Sequence, residues 1–231
     1  AILKAHGKWA IANDFMGNVG SSVRPFLIRT FVGVEAVAVF MVAHNFAGYL
    51  SSAFPIREVL SPIFPRQAHD AKALTATFDR VLKYSTLAFL LIAVAGAVMV
   101  PLLVGFIFPK YVLSLPYFFI YLVAMPLLGF RLAVTPLFAA FKNQKLFFSI
   151  TIYRTTASAL LGALLIWLFG LWGAALEASF GVTLLLLPVY IRSLREMLPN
   201  WKFSFREFFL IDSTDKTLIR LIFRRLIHFW R

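Results

Sequence analysis

LAFLLIAVAGAVMVPLLVGFIF, residues 87 to 108, carries no charged side chain. A helix needs about 20 apolar residues to cross a hydrocarbon core roughly 30 Å thick, so this run predicts a transmembrane helix over about Leu82 to Phe108 and makes lipid its solvent. Working outward, the same reading finds spans at about Lys8 to Thr30, Val34 to Ile56, Leu115 to Phe141, Leu146 to Phe169 and Leu171 to Ile191. The first of these is the least apolar, rich in Asn, Gly and Ser. Together they predict an all-α polytopic membrane protein with about six transmembrane helices in one bundle. Composition agrees: 61% of the residues are hydrophobic and the mean hydropathy is +0.83, which leaves too little polar surface for a soluble globule.

Net charge is +13, and its distribution gives an orientation. With the first end placed inside, one side collects Lys4, Lys8, Arg57, Arg66, Lys72, Arg80, Lys83, Lys142, Lys145, Arg192, Arg195 and the basic tail, whereas the other keeps only Arg29 and Lys110. The positive-inside rule then puts both termini in the cytoplasm. Residues 1–198 read as the bundle and 199–231 as a cytoplasmic basic tail. In that tail Leu218, Ile219, Ile222, Leu226 and Phe229 share one helical face, Arg220, Arg224, His228 and Arg231 the other, and Asp212 with Ser213 offers a start signal. A basic amphipathic helix of this kind lies on the inner leaflet, with docking on a partner as the alternative. Anionic lipid head groups, rather than nucleic acid, are the expected partners of the basic loops and tail. The polar loop from Pro65 to Arg80 is expected to cap the second hairpin at the head-group level. Ala1 in place of a methionine suggests a piece of a longer protein, and the lack of cysteine removes disulfide and thiolate chemistry.

Three arginines fall inside spans: Arg24, Arg131 and Arg154. Each costs about 2.5–3.5 kcal/mol at a helix centre on insertion scales, so the fold must hide it from lipid. Polar residues recur at helical spacing around them. Asp14, Gly17, Asn18, Ser21 and Arg24 draw one stripe, His44, Gly48 and Ser51 with Asn45 and Ser52 a second, and Thr151, Arg154, Thr155 and Ser158 a third that Gly162 continues. Arg131 lies between Pro126 and Pro136, which free backbone carbonyls and suit a helix lining a cavity. The stripes predict a hydrated cationic cavity for an anionic substrate, phosphate or diphosphate being the natural match to a guanidinium fork. Candidate substrate-binding residues are Arg24, Arg131, Arg154, Asn18, Asn45 and Thr155, with Asp14 and Glu177 as candidates for ion coupling. Each has a structural alternative. Arg24 could snorkel to the outer interface, Arg131 and Arg154 could serve packing alone, and Asp14 could simply neutralise an arginine. Glu177 shows no obvious partner and either titrates or reaches the interface. His44 reads as a helix-to-helix hydrogen-bond residue, since no metal-site spacing accompanies it.

No phosphate-binding glycine loop, zincin spacing or Gly-x-Ser-x-Gly elbow occurs. The carboxylates number ten and lie mostly in loops and tail. The chain is therefore expected to be a transporter rather than an enzyme, with neither cofactor nor metal.

Several short runs sharpen this. Phe31-Val-Gly-Val-Glu-Ala-Val-Ala-Val-Phe40 resembles the turn joining the first two helices of the carboxy-terminal half in bacterial polysaccharide (O-antigen) flippases of the multidrug/oligosaccharidyl-lipid/polysaccharide export superfamily. Leu60-Ser-Pro-Ile-Phe-Pro65 resembles that family's apolar-Phe-Pro signature, Phe108-Pro-Lys-Tyr111 its outer turn after the third helix, and Ala139-Ala-Phe-Lys-Asn-Gln-Lys145 its inner turn before the fifth. Gly170-Leu-Trp-Gly-Ala-Ala175 resembles the Gly-x-x-Gly-Ala motif opening its last helix. The resemblance implies movement of polyprenyl-diphosphate-linked oligosaccharide across the bacterial cytoplasmic (inner) membrane, as in lipopolysaccharide assembly. It also implies two pseudo-symmetric six-helix bundles, so the missing amino-terminal half or a second copy is an expected partner. Members commonly carry an acidic residue where this chain has Arg24, which speaks against ion coupling at that position. The alternatives are a drug or metabolite/cation antiporter of the same superfamily, an envelope glycosyl- or phosphotransferase, and a non-catalytic six-helix scaffold.

Overall fold

The computed structural model describes residues 8–67, 69–140, 144–198 and 201, and every regular element among them is helical. The basic tail and its amphipathic helix lie outside these residues. In chain order the helices are α1 (Lys8–Phe31), α2 (Val34–Ser52), α3 (Ile56–Gln67), α4 (Ala71–Ile107), α5 (Leu115–Ala140), α6 (Gln144–Phe169), α7 (Leu171–Leu176) and α8 (Val182–Met197). A 3₁₀ turn, Pro109–Ser114, joins α4 to α5, and a π turn, Glu177–Gly181, joins α7 to α8.

Five stretches are long and apolar enough to cross a membrane: Val34–Ser52, Ala71–Ile107, Pro109–Phe138, Phe148–Phe169 and Leu171–Met197. The α1 helix covers the expected first span with its 24 residues, but its Asn, Ser and Arg content keeps it out of that set. It packs instead along α6. Gly20 approaches so closely that an added Cβ would stand 3.2 Å from Thr155 Oγ1, and the Thr151 hydroxyl donates to the Asn13 side-chain oxygen.

The charge-free run forms the far end of α4. At 1.5 Å per residue, 37 helical residues extend about 55 Å, well beyond a 30 Å core. Its first turns therefore stand clear of the apolar layer, capped by Asp70, whose side chain accepts from the backbone of Lys72 and Ala73, both at 3.0 Å. Here the structure corrects the expected loop from Pro65 to Arg80. Leu74, Phe78, Leu82, Ser85 and Phe89 recur every third or fourth residue and are all buried, so their stripe extends the helix inward. The segment before it is helical too, as α3, despite Pro62 and Pro65. On the opposite face Leu91, Val98 and Phe106 are exposed, Phe106 by 85%, as a lipid-facing surface requires.

The turns after α1 and α6 rest on glycines in the left-handed region, Gly33 (φ 127°) and Gly170 (φ 58°). Around them Ile28, Phe40, Ile166 and Ala174 form a buried cluster that ties α1, α2, α6 and α7 together at one end of the bundle. At the other end Trp201 donates from Nε1 to Asp79 Oδ1 at 2.8 Å and meets Phe78 edge-on.

Candidate functional site

Among the described residues, the polar residues of the spans divide into a closed cluster and a pocket.

The closed cluster centres on Glu177. Gly173 lets α7 run against α6, since a Cβ there would collide with the carbonyl oxygen of Leu165. The π turn that follows opens the backbone at Glu177–Gly181, a local widening that often accompanies functional positions. Glu177 sits at its start with its side chain 1% exposed. Arg24 Nε donates to Glu177 Oε2 at 2.7 Å, and Ser158 Oγ donates to Glu177 Oε1 at 2.6 Å. Both carboxylate oxygens are thus engaged, one from α1 and one from α6. The expectation that Glu177 lacks a partner is corrected: the cation that neutralises it is 153 residues away in sequence. Removing either member alone would leave a charge stranded in a region of low dielectric.

Beside this pair lies a second one. His44 Nδ1 is 3.2 Å from the Tyr121 hydroxyl, and the imidazole stacks on Phe40 at 5.9 Å between centroids. That is the helix-to-helix role expected of His44, linking α2 to α5. Arg24 lies within electrostatic reach of both His44 and Tyr121.

The pocket, of about 150 Å³, opens between α2, α5 and the π turn with the start of α8. His44, Gly48 and Ser51 form one wall, Tyr121, Met125 and Arg131 another, and Ser179 with Thr183 the third. The α5 wall spans Pro126, with Tyr121, Ala124 and Met125 before it and Leu128 and Arg131 after it. Among the described residues no carboxylate pairs with Arg131. Its electrostatic neighbours are Tyr190, Arg154 and Arg24, two of them cations, and Arg24 is neutralised by Glu177. Ser179 Oγ is buried and has no hydrogen-bond partner among the described residues, an uncommon condition for a buried hydroxyl.

The remaining candidates are dispersed. Thr155 is buried against Gly20 in the α1–α6 contact rather than on the pocket wall. Arg154 is half-buried on α6, Asn18 is exposed on α1, and Asn45 is exposed on α2, beside the pocket residue His44. The side chain of Asp14 lies outside the described residues. Ser179, Tyr121 and Tyr190 were not legible as site residues. The one available signal for Ser179 was its position two residues after an intramembrane glutamate.

Fold and site together define an all-helical, membrane-spanning protein with a buried charge pair and a cationic pocket at membrane depth. Residues 2–114 match the family model described as polysaccharide biosynthesis protein, a stretch running from before α1 to the end of the 3₁₀ turn. Over it the chain is similar to polysaccharide biosynthesis proteins, and the resemblance drawn from its turn motifs holds there. No curated protein and no solved structure matches the chain.

Proposed function

We propose that this chain is one six-helix bundle of a flippase that carries polyprenyl-diphosphate-linked oligosaccharide from the inner to the outer leaflet of a bacterial cytoplasmic membrane. In this reading both termini are cytoplasmic, the second bundle is supplied by an amino-terminal half or another copy, and the substrate passes between the two by alternating access. The chain performs no chemistry on the substrate. Arg131 and Arg154 attract its diphosphate or acidic sugars, while Arg24, held by Glu177, orders the helices around them. Asn18 and Asn45 lie on faces open to the passage.

The observation that carries the reading is Arg131. A guanidinium at membrane depth, facing a polar pocket without a carboxylate partner among the described residues, is costly unless an anion visits it. A cation antiporter would place acidic side chains there instead. The match to polysaccharide biosynthesis proteins points the same way. Introduced into the full protein in a host lacking its own exporter, Arg131→Ala should abolish the appearance of glycan at the outer leaflet with membrane levels unchanged. Normal export by Arg131→Ala and by Arg154→Ala would overturn the reading.

A further inference from the structure

We propose that residues 182–187 of α8 rotate as a segment: the surplus residue of the π turn passes along the helix to Pro188, and Val182 replaces Thr183 on the pocket wall. A π turn closes over one residue more than an α turn, so Glu177–Gly181 holds one residue beyond what a continuous helix needs. Further along, Pro188 lies inside α8. Having no N–H, it leaves the Leu184 carbonyl without its helical donor, and helices bend or bulge at such places. The two defects bracket one regular stretch. When the surplus passes from the first to the second, that stretch turns by about 100° and slides by about 1.5 Å, one residue's step of an α-helix. The α7 helix and the far end of α8 stay where they are.

The sequence lets both registers pack. In the shifted one, each residue takes the place that its successor holds in the structure. Leu184 to Leu187 are consecutive leucines, so Leu185 enters the site of Leu186, which is 0% exposed, and leucine replaces leucine. Thr183 moves to the exposed place of Leu184. There its hydroxyl donates to the carbonyl one turn back, as Thr30, Thr86 and Thr135 already do in this bundle. Val182 comes to the place of Thr183, a buried residue that lines the pocket. The two side chains share a shape and differ by the hydroxyl, so the wall turns from polar to apolar with little repacking. One contact holds the surplus upstream. Gly181 approaches α6 so closely that an added Cβ would stand 2.7 Å from Leu161 Cδ2. The shifted register brings Phe180 to that place, and Leu161 must swing aside. Leu161 therefore sets how often the second register is visited, whether or not the chain is a flippase.

The test measures distances between spin labels in the full protein, held in nanodiscs on a background without other cysteines. One label sits at Leu184→Cys on α8. The reference label sits at Leu164→Cys on α6 or, in a second sample, at Val123→Cys on α5, all three positions being exposed. Two references make a turn of the segment visible whatever its direction. A major and a minor distance are expected from at least one reference. Leu161→Ala should raise the minor population by about threefold or more. Leu185→Trp should lower it by a similar factor, because an indole fits the open site of Leu185 and not the closed site of Leu186. Pro188→Ala should lower it too, since it restores the missing donor. A single distance from both references in the parent protein and in Leu161→Ala would overturn the proposal. So would a minor population that Leu185→Trp and Pro188→Ala both leave unchanged in variants with normal unfolding temperatures.

Discussion

On the α1–α6 side of the bundle an arginine is locked to a glutamate that a serine also holds; on the α5 side another arginine lines a pocket with no carboxylate beside it among the described residues. The two guanidinia feel one another, yet among the described residues a buried acid meets only one. Arg24 is spent on holding three helical segments together. Arg131 meets no carboxylate among the described residues, which costs stability and, in the proposed function, leaves it for the substrate. The difference teaches that an intramembrane cation cannot be assigned a role from its residue type. What separates the structural from the functional case is whether the chain also brings a counter-charge.

Substitutions should separate the two sides by size of effect. The largest is expected for Glu177→Ala, which strands the Arg24 charge and should cost about 3–5 kcal/mol, read as a loss of thermal stability in detergent. Combining it with Arg24→Leu should recover much of that loss. An additive double variant would dissolve the distinction. Next comes Ser158→Ala, which removes one hydrogen bond to the carboxylate and should cost about 1.5–3 kcal/mol. Tyr121→Phe, which cuts only the bond to His44, should cost about 0.6 kcal/mol, the average for such interhelical bonds in membranes. Smallest of all is the stability effect of Arg131→Gln. Its unfolding temperature should stay level or rise, because an unpaired charge is removed. A fall as large as that of Glu177→Ala would mean that Arg131 too is structural.

Much of the fold was legible because lipid imposes a coarse code. The uncharged run at 87–108 announces a span whatever surrounds it, and turns at Gly33 and Gly170 follow from where the apolar runs stop. The α1 helix was harder. Its polar stripe, which reads as a cavity wall, is divided: Arg24 is taken by Glu177, Asn18 and Ser21 stay exposed, and the packing on α6 runs through the neighbouring Asn13 and Gly20. The start of α4 reads as a loop because lysine and arginine at the head-group level resemble one in composition, while the buried residues at every third or fourth position from Leu74 to Phe89 decide the matter. At the site, the presence of arginines could be seen but not their fates. No local pattern links Arg24 to Glu177, and no propensity flags the π turn that brings Glu177 and Ser179 to their different surroundings.

The separation of that pair also sets an order of events. Chains emerge from the ribosome at about 5–20 residues per second, so Arg24 is made roughly 8–30 s before the glutamate 153 residues downstream that neutralises it. For most of that interval α1, already the least apolar of the long helices, has an unpaired cation and no α6 to lean on. Chains halted before Glu177 should therefore leave α1 accessible to a water-soluble thiol reagent at an Ile28→Cys reporter, and completed chains, in which Ile28 is buried against Ile166 and Ala174, should protect it. The helix that opens this bundle is in this sense the last to be settled, and the late glutamate acts as the latch on assembly.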